Sequence, residues 1–437
     1  MACRGSGVRV PSGPHRKPPG DRGLFPFADG ALAYGGHVSR LLRTAVSTVL
    51  SAALVVGVTS AATASARGNV SSGPDGAPVT VVAAGERDLQ DAAAALVETM
   101  TLRERAASVV MGHLPTTDTA ALREYMQTDS IGGFILMGAN VPADEAALRE
   151  VAAALTADEA LPPLLAIDQE GGDVSRLPWD DFPAAPVLKE ASAPDVADAF
   201  AGRASLVDRG GLNVNFGIVA DVTADRGMFI YRRALGADPA TAADHVAAAV
   251  RGEHGLSAST LKHFPGHGAA PGDSHAGIPT TDMPYDEWAT TQAPPFVAGI
   301  DAGAPLLMFG HLTYTAVDDA PASLSPEWHR IAREELGFDG VAVTDDLGML
   351  QASGIPTYAD PVANGVAALV AGNDLVLTVL YSDAGSAERM VDGIVAAVDD
   401  GTLPVDRLTE AAERVTALRL ASADTALIPC PECAAVR

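Results

Sequence analysis

The sequence predicts an α/β fold, a (β/α)8 TIM barrel that forms one domain. Eight short apolar runs alternate with alanine-rich helical patterns, which is the number and order of strands and helices in that fold. The runs are hydrophobic at consecutive positions, as strands buried on both faces of a parallel sheet are. An open, doubly wound sheet uses the same units and is the competing prediction.

The first 66 residues are predicted to lie outside this fold. Residues 1–37 form a doubtful leader rich in Gly, Pro and Arg, with the true start near Val38. Residues 38–66 carry arginines, then a short apolar run, and end in Ala-Ser-Ala, which predicts a signal peptide cleaved after Ala66. The apolar run is shorter than the ~20 residues of a spanning helix, so we expect a secreted, extracellular protein without stable membrane insertion.

A linker is predicted over residues 67–84, and the barrel over residues 85–425. In chain order the strands are SVVMGHL, IGGFILMGA, PLLAIDQE, LNVNFGIVADV, STLKHF, PLLMFGH, GVAVTDD and DLVLTVL. Stretches such as DEAALREVAAALTADEA and DPATAADHVAAAVRGEHGL have the apolar spacing of the intervening helices. Nothing after the eighth strand is long enough for a further domain, so we expect a single barrel.

The tail, residues 426–437, contains one C-x-x-C pair, Cys430 and Cys433. A structural zinc site needs about four ligands, so one such pair is weak evidence for a metal. In an exported protein we expect a small disulfide loop or two free thiols instead.

Composition and missing motifs exclude several classes of partner and reaction. A net charge of -26 disfavours nucleic acid or an anionic membrane as the main partner, because like charges repel. The sequence has neither the G-x-x-x-x-G-K-[ST] loop that cradles phosphates nor the G-x-S-x-G elbow of a nucleophilic serine. We therefore expect no cofactor and a reaction that does not use serine.

Polar residues lie at the ends of five of the eight predicted strands. The carboxyl ends of parallel barrel strands meet at one rim, so these residues predict a polar pocket for a polar, neutral ligand. In strand order they are Asp168, Gln169 and Glu170, then Asn213 and Asn215, Lys262 and His263, His311, and Asp345 and Asp346.

The segment KHFPGHGAAPGDSHAGIP, residues 262–279, concentrates histidines and glycines after the fifth strand. His263 and His267 have the i, i+4 spacing of a helical metal pair. Pro265 and Gly266 stand between them and would break that helix, so we expect no metal.

Asp273 and His275 in the same segment suit proton transfer. If the segment is extended, side chains two positions apart point the same way, and the carboxylate orients the imidazole. His275 is then a candidate general acid that becomes a base after donating its proton. Asp345, at the same rim, is a candidate nucleophile at an acetal carbon.

Four segments, AIDQEGGDVSRL, LNVNFGIVADV, KHFPGHGAAPGDSHAGIP and VAVTDDLGM, resemble in order and spacing the motifs of glycoside hydrolase family 3. The likeness is to its single-domain β-N-acetylhexosaminidases and covers about residues 89–419. It implies that Asp345 is the nucleophile and that His275 with Asp273 is the acid/base dyad on a mobile loop. It further implies a set of sugar-binding residues: Asp168, Arg176, Arg233, Lys262 and His263.

Two positions depart from the pattern of that branch. Asp173 stands where an arginine is usual, and Ala269 stands where an aspartate is common. At these two positions the resemblance therefore does not predict which leaving group is preferred. Arg232 competes with Arg233 for the same alignment position.

The expected function is that of an exported, retaining exo-β-N-acetylglucosaminidase acting on cell-wall fragments or chitooligosaccharides. The alternatives are a β-glucosidase or β-xylosidase of the same family, a GlcNAc phosphorylase, and an inactive sugar-binding barrel. We expect a GlcNAc-containing saccharide as the partner, no nucleic acid, and a monomer, although the sequence does not fix the oligomeric state.

Overall fold

The computed structural model describes residues 82–424, which form a barrel of parallel strands. All eight predicted runs contain a barrel strand. The strands are β1 (Val110–Gly112), β2 (Gly133–Leu136), β3 (Leu164–Ile167), β4 (Val214–Val219), β5 (Ala258–Phe264), β6 (Leu306–Phe309), β7 (Val341–Thr344) and β8 (Val376–Leu377).

The strand order identifies the sheet as a barrel. It runs β7-β6-β5-β4-β3-β2-β1-β8, and every neighbouring pair is parallel. β1 pairs with β8 through Val110 and Val376, and a bridge from Val343 to Leu375 joins β7 to the start of β8. The predicted (β/α)8 barrel is confirmed. The competing prediction of an open sheet is wrong, because the two edge strands of the observed sheet, β7 and β8, meet.

Helices surround the barrel. Two of the predicted ones begin at aspartates, Asp144 and Asp238, whose carboxylates accept hydrogen bonds from the first-turn N–H groups. The helices are α1 (Val82–Thr99), α2 (Leu102–Ser108), α3 (Thr119–Asp129), α4 (Glu145–Leu155), α5 (Ala185–Leu188), α6 (Ala193–Arg209), α7 (Pro239–Glu253), α8 (Tyr285–Thr291), α9 (Ala293–Asp301), α10 (Pro326–Arg330), α11 (Leu347–Ala352), α12 (Pro361–Ala371), α13 (Ser386–Asp399) and α14 (Val405–Asp424).

The barrel interior is packed with apolar side chains from alternate strand positions. Met111, Ile135, Phe216 and Met308 are among its buried members. Two larger apolar clusters lie between the strands and the surrounding helices. With the interior filled, the space for a ligand is at the rim where the βα loops begin.

Several predictions fall on residues that the structure does not describe. The leader, the signal peptide, and Cys430 and Cys433 lie outside residues 82–424, as does the linker except for its last three positions, which begin α1. Within the described residues, no helix is both long and apolar enough to cross a membrane.

Candidate active site

A cleft of about 150 Å³ opens at the carboxyl ends of the strands. Its lining residues fall into a polar set, the polar wall, and an apolar set, the apolar wall. The polar wall consists of Asp168, Arg176, Arg233, Lys262, His263, His275, Asp345 and Asp346. The apolar wall consists of Ile135, Met137, Val174, Phe216, Met308, Met349, Leu377, Val379 and Leu380. Seven of the eight predicted site residues therefore line one cleft, and the eighth, Asp273, contacts His275.

Asp168 follows β3 and forms the centre of the polar wall. Its Oδ1 accepts a hydrogen bond from Lys262 Nζ at 2.8 Å, and its Oδ2 accepts one from Arg176 Nη2 at 3.2 Å. Burial raises the pKa of the Asp168 carboxyl, but the two cations outweigh burial and lower it to about 2. Asp168 is therefore a fixed anion.

Glu170, which the sequence marked only as a strand-end residue, completes the charge network. Its Oε1 lies 2.7 Å from Lys262 Nζ, and its carboxylate accepts two hydrogen bonds from Arg233, at 2.9 and 2.7 Å. Burial raises the pKa of Glu170, whereas Lys262 and Arg233 lower it below its ordinary value. Two buried carboxylates thus hold three cations, Lys262, Arg176 and Arg233, at the polar wall.

His263 lies near the end of β5, beside an aspartate that the sequence did not indicate as a site residue. Its Nδ1 lies 2.8 Å from Oδ2 of Asp221, which follows β4, and its Nε2 lies 3.3 Å from Arg233 Nη2. Asp221 also accepts hydrogen bonds from the backbone N–H groups of His263 and His267. Asp221 therefore fixes the end of β5 and the start of the loop after it. The Lys262–His263 bond near the end of β5 and the Phe264–Pro265 bond that follows it are cis.

The two aspartates after β7 have different surroundings. Burial raises the pKa of Asp345, but His263, His311 and Lys262 bring it below its ordinary value. Asp346 accepts hydrogen bonds from the backbone N–H groups of Gly348, Val379 and Leu380, and burial nevertheless raises its pKa to about 6. Asp345 is therefore a charged carboxylate in the cleft, whereas the Asp346 side chain binds backbone N–H groups.

Asp273 and His275 are paired, but not as the sequence predicted. They lie in a turn rather than an extended segment, with Asp273 Oδ1 accepting from the His275 backbone N–H at 3.0 Å and lying 2.7 Å from its Nδ1. The side chains remain 48% and 63% exposed. Burial raises the pKa of Asp273, and the hydrogen bonds from His275 lower it below the ordinary value.

Gln169, a buried residue, positions Arg176. Its Oε1 accepts hydrogen bonds from the backbone N–H groups of Arg176 and Leu177, each at 2.9 Å. Its amide donates to Ser175 Oγ at 2.7 Å and to Asp180 Oδ2 at 2.6 Å. All four hydrogen bonds fix the hairpin that brings Arg176 to Asp168.

The structure distinguishes Arg233 from Arg232, which compete for one alignment position. Arg233 lines the cleft, whereas Arg232 makes a two-point ion pair with Asp173 at the exposed rim. Asp173, the residue that departs from the family pattern, thus joins the hairpin after β3 to the segment after β4.

Two asparagines were wrongly placed at the rim. Asn213 precedes β4 at the opposite end of the barrel, where its side chain bonds the backbone of Pro163 and Leu165. Asn215 lies inside β4, and its side chain bonds the backbone of Gln169 and the Glu253 carboxyl of α7. Both side chains form hydrogen bonds with backbone groups, and neither lines the cleft.

His311 lies behind the cleft. Its Nε2 donates to the Asp346 carbonyl at 2.8 Å, and its Nδ1 lies 2.7 Å from Ser323 Oγ. Burial lowers the pKa of His311. Within residues 82–424, no three His, Cys, Asp or Glu side chains are grouped so that they could hold a metal ion.

Comparisons with known proteins agree on one family. The model described as "Glycosyl hydrolase family 3 N terminal domain" matches residues 101–418. A β-hexosaminidase of Stenotrophomonas maltophilia (strain K279a) is 37% identical over 284 residues, 62% of this chain and 82% of that protein.

Two solved structures are similar to this one. A family 3 β-N-acetylglucosaminidase from Paenibacillus sp. str. FPU-7 superposes with a TM-score of 0.69 at 30% identity, over 74% of this chain but 63% of that one. A β-N-acetylhexosaminidase from Beutenbergia cavernae DSM 12333 superposes with a TM-score of 0.65 at 29% identity, over 73% of this chain and 98% of that one.

Proposed function

The chain belongs to glycoside hydrolase family 3 and is a glycoside hydrolase, and we propose that it is an exported, retaining exo-β-N-acetylglucosaminidase. One observation carries the proposal: a charged Asp345 lines the same cleft as a set of buried ion pairs, and the exposed His275 lines that cleft too. That arrangement offers a nucleophile, hydrogen-bonding groups for a sugar, and a proton donor beside the leaving group.

In the first step the Asp345 carboxylate attacks the anomeric carbon, and the bond from that carbon to the leaving oxygen breaks. His275 donates a proton to that oxygen, so the leaving group departs as an alcohol. In the second step the neutral His275 takes a proton from water, whose oxygen displaces Asp345. Two displacements at one carbon retain its configuration, and one water is consumed per bond.

The polar wall suits the hydroxyls of a terminal sugar. Asp168 can accept hydrogen bonds, while Lys262, Arg176 and Arg233 can donate them. Arg176 Nε is buried with no partner among the described residues, so it is a donor available to a ligand. The apolar wall can receive the methyl of an N-acetyl group and the apolar face of the ring.

The names of the similar proteins support GlcNAc over glucose, because they are called β-hexosaminidase, β-N-acetylglucosaminidase and β-N-acetylhexosaminidase. The basic and apolar pattern of residues 38–66 supports export. For an exported enzyme we propose cell-wall fragments or chitooligosaccharides as substrates.

The decisive assay compares 4-nitrophenyl β-GlcNAc with 4-nitrophenyl β-glucoside, with and without tens of millimolar phosphate. We expect faster release from the GlcNAc substrate, and free GlcNAc of retained configuration as the main product by NMR. Faster release from the glucoside would make the protein a β-glucosidase, and GlcNAc 1-phosphate as the main product would make it a phosphorylase. Release from neither substrate would favour an inactive sugar-binding barrel.

A further inference from the structure

Two consecutive apolar side chains are exposed directly after β8. Leu380 is 42% exposed and Tyr381 is 68% exposed. Tyr381 is the only exposed Phe, Trp or Tyr among the residues whose side chains the structure describes. The other exposed large hydrophobic residues in this part of the chain are isolated in sequence: Val187, Ile355, Val370 and Val405.

The backbone that carries Leu380 and Tyr381 is held firmly. Asp346 accepts hydrogen bonds from the N–H groups of Val379 and Leu380, at 2.8 and 2.9 Å. Ser382 Oγ donates to the Val379 carbonyl at 2.5 Å and lies 3.1 Å from His113 Nδ1. The exposure of the two side chains is therefore not a result of a loosely attached loop.

Tyr381 also has an unfavourable backbone conformation. Its φ is +62°, in the left-handed region where a residue with a β-carbon is strained and glycine or asparagine is favoured. Neither packing nor backbone preference accounts for a tyrosine here. Strained residues of this kind cluster at ligand sites.

The position of the pair fits a ligand that extends out of the cleft. Leu380 lines the cleft together with His275, whose exposed ring is at the opening. In the proposed reaction His275 protonates the leaving oxygen, so the leaving group must lie on the solvent side of the bond being broken. Leu380 lies at that opening, and Tyr381 is the next residue along the chain.

We propose that Leu380 and Tyr381 form a subsite for the leaving group, and that its occupant is a second pyranose ring. This inference rests on the proposed glycosidase function. One face of a β-linked pyranose presents mainly C–H groups, which pack against an aromatic ring, while the tyrosine hydroxyl and the sugar hydroxyls stay in water. The subsite selects saccharide leaving groups over small ones.

The test compares two substrates that share the terminal sugar. One is the β-1,4-linked GlcNAc disaccharide, and the other is the β-fluoride of GlcNAc, whose leaving group has no ring. We expect Tyr381→Asn to lower the disaccharide-to-fluoride ratio of kcat/KM about tenfold, mainly through the disaccharide KM. Asparagine tolerates the left-handed backbone, so the variant removes the ring while keeping the loop.

Three further variants make the test specific. Tyr381→Phe keeps the ring and should retain the wild-type ratio, while Leu380→Ala should lower the ratio several-fold. Val187→Ala, which removes an equally exposed side chain elsewhere, should leave the ratio unchanged.

An unchanged ratio in both Tyr381→Asn and Leu380→Ala, in a wild-type background that hydrolyses both substrates, would overturn the subsite alone. An equal loss on both substrates would also overturn it, because the loop would then have only a structural role. A wild-type protein inactive on both substrates would overturn the proposed function and the subsite with it.

Discussion

The polar wall of the cleft and the turn that carries His275 are built in opposite ways. The side chains of Lys262 and Glu170 are 2% and 3% exposed, and each is paired with more than one opposite charge. His275 is 63% exposed, and its side chain pairs with Asp273 of the same exposed turn. The groups proposed to hold the sugar are thus fixed before it arrives, whereas the proposed proton donor is accessible to solvent.

The difference follows from the task proposed for each region. Buried charges must be paired to be stable, so the polar wall pre-organises its donors and acceptors. A proton donor must reach the leaving oxygen and then allow water to enter. Gly266 and Gly272 have φ values of +125° and +116° on either side of the first part of the loop, and both can serve as hinges for such movement.

The largest expected effect tests the fixed region at Asp345. Asp345→Ala should lower kcat on order of 10⁴-fold or more, because no glycosyl ester can form. Added azide should restore some turnover and give an azide product of inverted configuration. A variant that keeps more than about a tenth of the wild-type rate would move the nucleophile elsewhere, with Asp346 the next candidate.

The second test removes the cation shared by two buried carboxylates. Lys262→Met should lower the free energy of unfolding by about 3–5 kcal/mol at pH 7, because Asp168 and Glu170 lose a partner without leaving the interior. Urea denaturation measures the change. Arg232→Met breaks the exposed ion pair with Asp173 and should leave the midpoint of urea denaturation nearly unchanged. Equal destabilisation by both variants would contradict the contrast between buried and exposed regions.

The third test addresses the exposed turn. His275→Ala should lower kcat/KM about a hundredfold on a disaccharide but much less on the nitrophenyl substrate, whose leaving group departs without a proton. The melting temperature should stay at the wild-type value, since the ring packs on little. Asp273→Asn should show the same pattern more weakly. Equal losses on both substrates would argue against the acid role.

The smallest expected effect concerns Glu253, which supports the fixed region through Asn215. Burial raises the pKa of Glu253 to about 8, so its contribution to stability is fully present below about 4.5 and is lost as the pH rises through 8. The melting temperature of Glu253→Gln minus that of the wild type should therefore rise by about 3 °C between pH 5 and pH 8. The exposed Glu150→Gln is the control, and a gain independent of pH would refute the assignment.

The barrel was predictable because strands buried on both faces are apolar at every position. That pattern located all eight strands, even β8 with only two residues, Val376 and Leu377. The closing contact from Val343 to Leu375 was not readable from the sequence, since an open sheet uses the same units. Strand order, not strand content, distinguishes the two folds.

The site was predictable where a polar residue follows a strand or lies near its carboxyl end, and not where it lies at or before the start of a strand. Asp221 follows β4 as Asp168 follows β3, so the same rule could have found it. Asn213 and Asn215, the other polar residues of that run, lie before β4 and at its start instead. Their side chains serve backbone groups, and only the three-dimensional pairing shows this.

Glu170 and Gln169 illustrate a second limit. Both residues come just after β3 in the sequence. Their neighbours in the sequence do not indicate that Glu170 binds two cations or that Gln169 fixes a hairpin. The turn at Asp273 was missed for a related reason. Its carboxylate bonds the backbone N–H two residues later, which is local turn chemistry that competes with an extended chain.

The pairing of Val110 with Val376 has a consequence for how the molecule is made. The first strand cannot find its second neighbour until the last strand has been synthesised, so the sheet stays open at one edge for most of translation. Contacts this distant along the chain slow folding, because the intervening loop must be closed first. For a protein proposed to be exported, that delay leaves the barrel unclosed until nearly all of the chain is available.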